Sequence, residues 1–382
     1  MNKIEKLIEE LCPEGVEYRR LGDCLDYEQP GNYNVVSKDY LESGIPVLTA
    51  GQTFILGYTD EINGVYKASK DNPVIIFDDF TTSFHWVTFD FKVKSSAMKM
   101  LKPKTKDVVF RFVYHLMKCI KYETLEHSRQ WISKYSKIEI PIPPISIQEK
   151  IVEILDKFTA LEAELEKELE ARRKQYEYYR EKLLTFSTND ENVRWTTLGE
   201  IGDVCMCKRI MKNQTASIGD IPFYKIGTFG GEADAYIDRS LYDEYKSKYS
   251  FPKKGDILIS AAGTIGRAVI YDGKDAYFQD SNIVWIDNDE KIILNSFLFY
   301  LYQIIDWKTD GGTIKRLYNN NLKAASIPVP PLSEQRRIVS ILDRFEALTN
   351  DLQAGLPAEF AARRQQYEYY REKLLTFKRK TI

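Results

Sequence analysis

The chain has 382 residues, 43% hydrophobic and 29% charged, which excludes a disordered or fibrous protein and supplies mass for two or more cores. With 54 lysines and arginines against 56 aspartates and glutamates, the formal net charge of −2 excludes a uniformly basic nucleic-acid binder; any DNA contact must come from local patches. There is no apolar run of about 18 residues, so no membrane-spanning helix is expected. The opening MNKIEKLIEELCPEG carries charges where a secretory signal needs an apolar segment, so a cytoplasmic protein is expected. The five cysteines are scattered and odd in number, as for reduced thiols, and Cys205 and Cys207 form a C-x-C with no second pair at zinc spacing.

In chain order, a short helix is expected at Lys3–Leu11. A mostly β segment follows, with strands at 45–51 (IPVLTAG), 72–79 (NPVIIFDD) and 85–93 (HWVTFDFKV) and a helix at 110–120 (FRFVYHLMKCI). A long helix runs from Gln148 to Phe186. Its apolar residues Ile151, Ile154, Phe158, Leu161 and Leu165 step by three and four, a heptad seam that Leu169, Tyr176, Tyr179 and Leu183 continue after a slip in phase. A second β segment has strands at 221–227, 255–263, 267–273 and 282–287 and a helix at 297–305. A second long helix repeats the seam with Ile338, Ile341, Phe345, Leu348 and Leu352. A helix of this length needs a partner for its seam, and each copy offers one to the other.

The order is that of a tandem repeat. RRKQYEYYREKLLTF at 172–186 returns as RRQQYEYYREKLLTF at 363–377, with one difference, Lys174 against Gln365. PIPPISIQEKIVEILDKFTAL begins at Pro141 and PVPPLSEQRRIVSILDRFEAL at Pro328. The second copy carries four extra residues between these blocks, about one helical turn, near Asp351–Pro357, where Gly355 and Pro357 are expected to break and restart the helix. VEYRRLG at 16–22 is echoed by VRWTTLG at 193–199, and SRQW at 128–131 by KRLY at 315–318. A period this long is a domain duplication. The expected fold is α+β: two mostly β domains separated by two long antiparallel coiled-coil helices, in a pseudo-two-fold tandem. The expected parts are 1–146, 147–189, 190–333 and 334–382. The short first helix is expected to pack near the far end of the last one.

No catalytic constellation is found. His85, His115 and His127 lack metal-ligand spacing, and no phosphate loop with its lysine occurs. SAAGTIGR at 260–267 reads as a strand-to-strand turn with close backbone approach. Asp78 and Asp79 read as turn or strand caps, with a cytosine contact as the alternative. What recurs in both domains is loops that mix glycines with hydrogen-bonding side chains. In the first these are Thr49, Gln52 and Thr53; Thr81, Thr82 and Ser83; Lys92, Lys94, Ser95 and Ser96; and Arg129, Gln130 and Trp131. In the second they are Lys225 and Thr228; Ser260, Thr264 and Arg267; Gln279, Ser281 and Asn282; and Thr313, Lys315, Arg316 and Tyr318. Lysine and arginine hold phosphates; glutamine, asparagine and arginine bridge base edges.

The two PP-x-x-x-Q blocks and the two QYEYYREKLLTF helices resemble the conserved regions of the specificity subunit of type I restriction–modification systems, and the segments between them resemble its target recognition domains. The resemblance covers essentially the whole chain. PVLTAGQTFILGY, FDDFTTSF and KSSAMKML are similar to the type IC branch, for which a GAA-like first half-site is the expectation. The resemblance implies a non-catalytic subunit on double-stranded DNA with a bipartite site. It implies two docked adenine-methyltransferase subunits, joined by two restriction subunits where the system restricts, with no membrane. S-adenosylmethionine, ATP and magnesium would belong to those partners, none to this chain. Arg172, Tyr178, Tyr179 and Arg180, with Arg363, Tyr369, Tyr370 and Arg371, are then the expected partner-binding residues. The alternatives are a DNA-modifying enzyme with its own site and a coiled-coil scaffold without readout.

Overall fold

The computed structural model describes residues 3–51, 53–123, 128–309, 315–350 and 354–380. Its contacts divide into two compact units, 1–166 with 359–382, and 167–358. Both units follow one plan.

Each β domain begins and ends on neighbouring strands. In the first, Glu17–Arg20 pairs antiparallel with Glu139–Ile142, Tyr18 facing Pro141. In the second, Arg194–Thr197 pairs with Ser326–Val329, Trp195 facing Pro328. A two-stranded ribbon leaves one side of each strand open, which tolerates a proline. The chain thus enters and leaves each domain side by side.

Between these ribbons lie a four-stranded and a three-stranded sheet. In the first domain the order is Leu25–Glu28, Met98–Pro103, Val74–Asp78, Phe84–Val87, and then Ile55–Thr59, Ile45–Leu48, Lys92–Val93. In the second it is Gly202–Cys205, Ile283–Asn288, Ile257–Ser260, Ala268–Ile270, and then Tyr236–Ile237, Ile221–Tyr224, Tyr277–Phe278. Strand directions agree as well: the larger sheets are antiparallel, and each smaller one has a single parallel pair. The expected strand 85–93 is two strands here, Phe84–Val87 and Lys92–Val93, one in each sheet. The helix Arg239–Lys248 in the second domain carries no strong apolar period and was not foreseen.

The central strands explain their apolar runs, since both faces are covered. Ile75 and Phe77 face one core, with Leu101, Phe112 and Ile151, while Val74 and Ile76 face another, with Val47-bearing strand neighbours Leu48 and Val93. Likewise Ile257 and Ile259 pack with Phe297 and Ile338, and Leu258 with Phe223 and Trp285. In both domains one core runs on into the helices.

The central helix is unbroken from Ile145 to Leu184, 40 residues. Its counterpart is in two pieces, Leu332–Asn350 and Leu356–Leu375, with Pro357 in the first turn of the latter. This is the restart expected at Gly355–Pro357, because a proline there costs no intrahelical hydrogen bond. Leu352 lies outside the described residues. Within the first unit, Phe158 meets Tyr370 and Tyr367, and Glu162 meets Arg364, so the two helices run antiparallel. Leu7 and Ile8 of the helix Lys3–Leu11 pack on the cluster that holds Leu374, Leu375 and Phe377. Val16 N–H donates to Lys378 O (2.8 Å) and Lys380 N–H to Val16 O (2.9 Å). The first helix therefore sits where the sequence placed it, at the end of the last. Among the described residues no helix is long and apolar enough to cross a membrane, and no group of His, Cys, Asp and Glu is arranged to hold a metal.

Candidate nucleic-acid interface

The joint between domain and helix is built twice from the same parts. Gln148 is fully buried: Val109 N–H donates to its Oε1 (2.8 Å), and its Nε2 donates to Pro143 O (2.7 Å) and Asp107 O (3.3 Å). Gln335 does the same, accepting from Leu294 N–H (2.8 Å) and donating to Pro330 O (2.8 Å) and Ile292 O (3.0 Å). Each glutamine ties the start of a long helix to the start of the domain's own helix. About two turns further on, Asp156 receives Arg111 Nε (2.8 Å) and lies 2.8 Å from His115 Nε2, and Asp343 accepts from Tyr300 Oη (2.5 Å). Burial depresses the His115 pKa against the pull of Asp156. Burial works to raise Asp156, but the hydrogen bonds from His115 and Arg111 outweigh it and hold the carboxyl low. The glutamines carry the joint, and they were overlooked. Their identical place in PP-x-x-x-Q was the available signal.

The loops expected to meet DNA do gather in the first domain. His85 Nε2 lies 2.9 Å from Gly51 O, Lys94 N–H donates to Leu48 O (3.2 Å), Asp79 N–H to Ala97 O (3.0 Å) and Gln130 N–H to Asp79 O (2.7 Å). Asp79 is the hub. It is 1% exposed, accepts Trp131 N–H (2.9 Å) and pairs with fully buried Lys99 (3.2 Å). Asp78 caps the turn, its Oδ1 accepting from Phe80 and Thr81 N–H (2.9 and 2.8 Å). Both carboxylates thus serve the turn, as the caps expected of them.

Three expected contact residues are corrected by burial. Trp131 packs between Phe77 (5.1 Å) and Tyr135 (6.1 Å). Gln130 accepts from Tyr122 Oη (2.8 Å) and donates to Ser128 O (2.7 Å). Lys92 pairs with Glu61 (2.7 Å) and donates to Asn63 O (2.7 Å). Buried polar groups satisfied from within build the domain. Thr53, Thr81, Lys94, Ser95, Ser96 and Arg129 are exposed, and Thr82 (φ 59°) and Ser83 are half-buried beside them. Thr49 is half-buried and accepts Gly51 N–H (3.1 Å). Gln52 lies outside the described residues, as do His127 and Thr313.

The second domain assembles the matching loops. Ile226 N–H donates to Gln279 Oε1 (2.9 Å), Ala261 N–H to Asn282 O (2.7 Å) and Leu317 N–H to Ala261 O (2.9 Å). Ala261 thereby takes the backbone role that Asp79 has in the first domain. Arg316 donates to Ser281 O and Oγ (both 3.0 Å), clamping a residue at φ 54°. Ser260 is corrected: it is 2% exposed, and its hydroxyl donates to Thr264 O and accepts from Arg267 N–H, which shapes the turn. That turn does join two strands with close approach, since a Cβ on Gly266 (φ 81°) would stand 2.3 Å from Trp307 Nε1. Thr228 holds Lys225 N–H (3.1 Å), Lys225 pairs with Asp234 (2.8 Å), and Arg267 donates to Phe229 O (2.8 Å). Thr264, Lys315 and Tyr318 are exposed; Asn282 is half-buried.

On the helices, Tyr179 stacks on Phe345 and Tyr370 on Phe158, each at 5.5 Å and 22°. Arg180 lies over Tyr176 at 5.2 Å and donates to Gln303, and Arg371 lies over Tyr367 at 5.3 Å. Tyr370, Arg180 and Arg371, all half-buried, thus take part in packing, whereas Tyr179 stacks and still exposes 36%. Tyr178 and Tyr369 remain open, at 58% and 59%. Arg172 and Arg363 are bonded to Gln175 (2.9 Å) and Gln366 (3.3 Å).

Two α+β domains of one topology, each latched to its own stretch of long helix and each ending in one cluster of polar loops, define a tandem recognition protein. The chain belongs to the family of type I restriction modification DNA specificity domains, which matches residues 13–172 and 191–361. It is 46% identical to a putative type I restriction enzyme specificity subunit of Haemophilus influenzae, over 98% of both chains. It is 41% identical to the EcoR124I/EcoR124II specificity subunit of Escherichia coli, over 99% of this chain and 97% of that one. The fold matches the crystal structure of the type I S subunit of M. genitalium with a TM-score of 0.61, at 16% identity over 94% of this chain and 96% of that one. A chain from a study of complex assembly in the type I R-M system matches with 0.56, at 18% identity over 94% and 97%.

Proposed function

We propose that this chain is the DNA-specificity subunit of a type I restriction–modification complex. Each β domain reads one half of a bipartite site through its loop cluster. The helices hold the two half-sites at a fixed spacing and dock two adenine-methyltransferase subunits, with restriction subunits joining where the system cuts. S-adenosylmethionine, ATP and magnesium are the partners' ligands in this reading. The observation that supports it most is that the joints are copied while the loops diverge. Gln148 and Gln335 make the same bonds, whereas the residues of the loop clusters differ between domains. Identical joints suit identical partners, and different loops suit different half-sites. Tyr178 and Tyr369 offer the same exposed ring in both copies, an anchor suited to a repeated docking surface. The central helix of 40 residues rises about 60 Å, against about 34 Å for one turn of DNA.

The test is to insert about one helical turn, four residues, within Glu162–Glu170 and to sequence the methylated sites. The gap between half-sites should lengthen while both half-sites stay unchanged. Altered half-sites with an unchanged gap would refute the role of the helices.

A further inference from the structure

The connection after the first strand of the larger sheet differs between the domains in a way the duplication does not explain. In the second domain it reads MCKRIMKNQ, residues 206–214, with Lys208, Arg209 and Lys212 and no acid. In the first domain the connection after the matching strand Leu25–Glu28 reads QPGNYNVVS, residues 29–37, with no charged residue. Both lead into a short 3-10 turn, Lys212–Gln214 and Pro30–Tyr33.

The basic strap is built firmly onto the second loop cluster. Cys207 is 2% exposed in the core and Ile210 packs on the same cluster, which turns the neighbouring side chains outward. Tyr277 Oη donates to Lys208 O (2.9 Å), Gln214 Oε1 accepts Met211 N–H (2.8 Å) and Thr215 Oγ1 donates to Lys212 O (2.9 Å). Arg209 reaches Asp280, at 2.9 Å, in the loop that carries Gln279, Ser281 and Asn282, and still exposes 67% of its side chain. Met211 is 57% exposed beside it. Arg209, Lys212 and Lys225 line one groove with Ser281 and Asn282, and Ser281 also lines the adjoining groove with Arg316, Tyr318 and Asn320. Positive charge on an ordered strap at the lip of hydrogen-bonding loops is the arrangement that holds a phosphate backbone while other groups reach base edges.

We infer that Arg209 and Lys212 form a DNA-phosphate clamp present in the second domain and absent from the first. The inference rests on the DNA-reading role proposed above.

The test uses the assembled complex with its methyltransferase subunits and measures binding to its own bipartite site and to a site with a scrambled second half, across a salt series. Two phosphate contacts carry a slope of about 1.8 in log K against log salt, so R209A/K212A should flatten the slope by about that amount and weaken binding roughly 60-fold at 0.1 M salt. The preference for the correct half-site should stay the same, since phosphate contacts carry no base information. R209K/K212R should restore the slope, and K246A/K248A, on the helix Arg239–Lys248, should leave it unchanged. An unaltered slope in R209A/K212A, or an equal loss in K246A/K248A, overturns the clamp while the recognition role stands. A wild-type complex without preference for any site overturns both.

Discussion

Replacing Gln148 by leucine tests the joint most directly. The side chain is fully buried and makes bonds of 2.7 to 3.3 Å with Val109 N–H, Pro143 O and Asp107 O. Leucine keeps the volume but leaves the Val109 amide without a partner inside the protein, at about 1–3 kcal/mol, and removes a donor from two carbonyls. A total near 3 kcal/mol is expected, because Asp107 stands at the surface where water can replace the lost donor. This corresponds to about 150-fold faster opening at that site. Hydrogen exchange followed at the Val109 amide should accelerate by that factor, while the Leu294 amide in the other unit keeps its wild-type rate. Gln335→Leu should do the reverse. The two changes share no partner, so their effects should add within about 0.5 kcal/mol. If Val109 in Gln148→Leu exchanged within about three-fold of wild type, the glutamine would not be holding the joint.

Truncating the buried Tyr176 or Tyr367 to alanine should cost about 3–5 kcal/mol, whereas Tyr178→Ala with Tyr369→Ala should leave thermal unfolding unchanged and reduce methyltransferase recovery in pull-downs. Asp79→Asn breaks a buried pair with Lys99 and should destabilise the first unit by about 3–5 kcal/mol, measured by chemical denaturation. His115 is depressed by burial, so the unfolded chain binds the proton more readily and the first unit should lose stability as pH falls below about 6.5, by at most about 1.4 kcal/mol per unit. His115→Gln should flatten that slope in a denaturation series from pH 7 to pH 5; an unchanged slope would assign it to other groups. Exchanging residues 20–138 for those of a relative should alter one half-site only, read by sequencing methylated DNA.

The long-range plan was legible because the chain states it twice. A heptad seam at 151–165 and again at 338–352, four extra residues ahead of Pro357, and proline-rich strands before each helix sufficed for the tandem, the antiparallel pairing and the restart. The strands of both domains followed from short apolar runs, since a central strand covered on both faces must be apolar throughout. The loops were harder. SRQW and KRLY align, yet Trp131 is core and Tyr318 is 51% exposed, because one tryptophan fills a space between Phe77 and Tyr135 that the second domain does not repeat. Lys92 looks like a phosphate ligand until Glu61 is seen to hold it. Side-chain chemistry in a loop becomes a site only after the fold has assigned its partners.

The pattern of agreement and divergence separates two kinds of constraint. Where the copies must do one job, the geometry agrees closely: Tyr179 on Phe345 and Tyr370 on Phe158 share the same distance and angle, although the second helix is interrupted and the central one is not. Where the copies face different half-sites, even the hub is free to change, and Asp79 with its buried lysine is answered by Ala261, which keeps only the backbone bonds. A buried ion pair adds no net stability over an apolar core of the same shape, so its presence in one copy alone points to the turn it shapes. The strap at 206–214 fits the same division. It lies beside the loops rather than on the joint, and it carries three bases where the first domain has an uncharged connection.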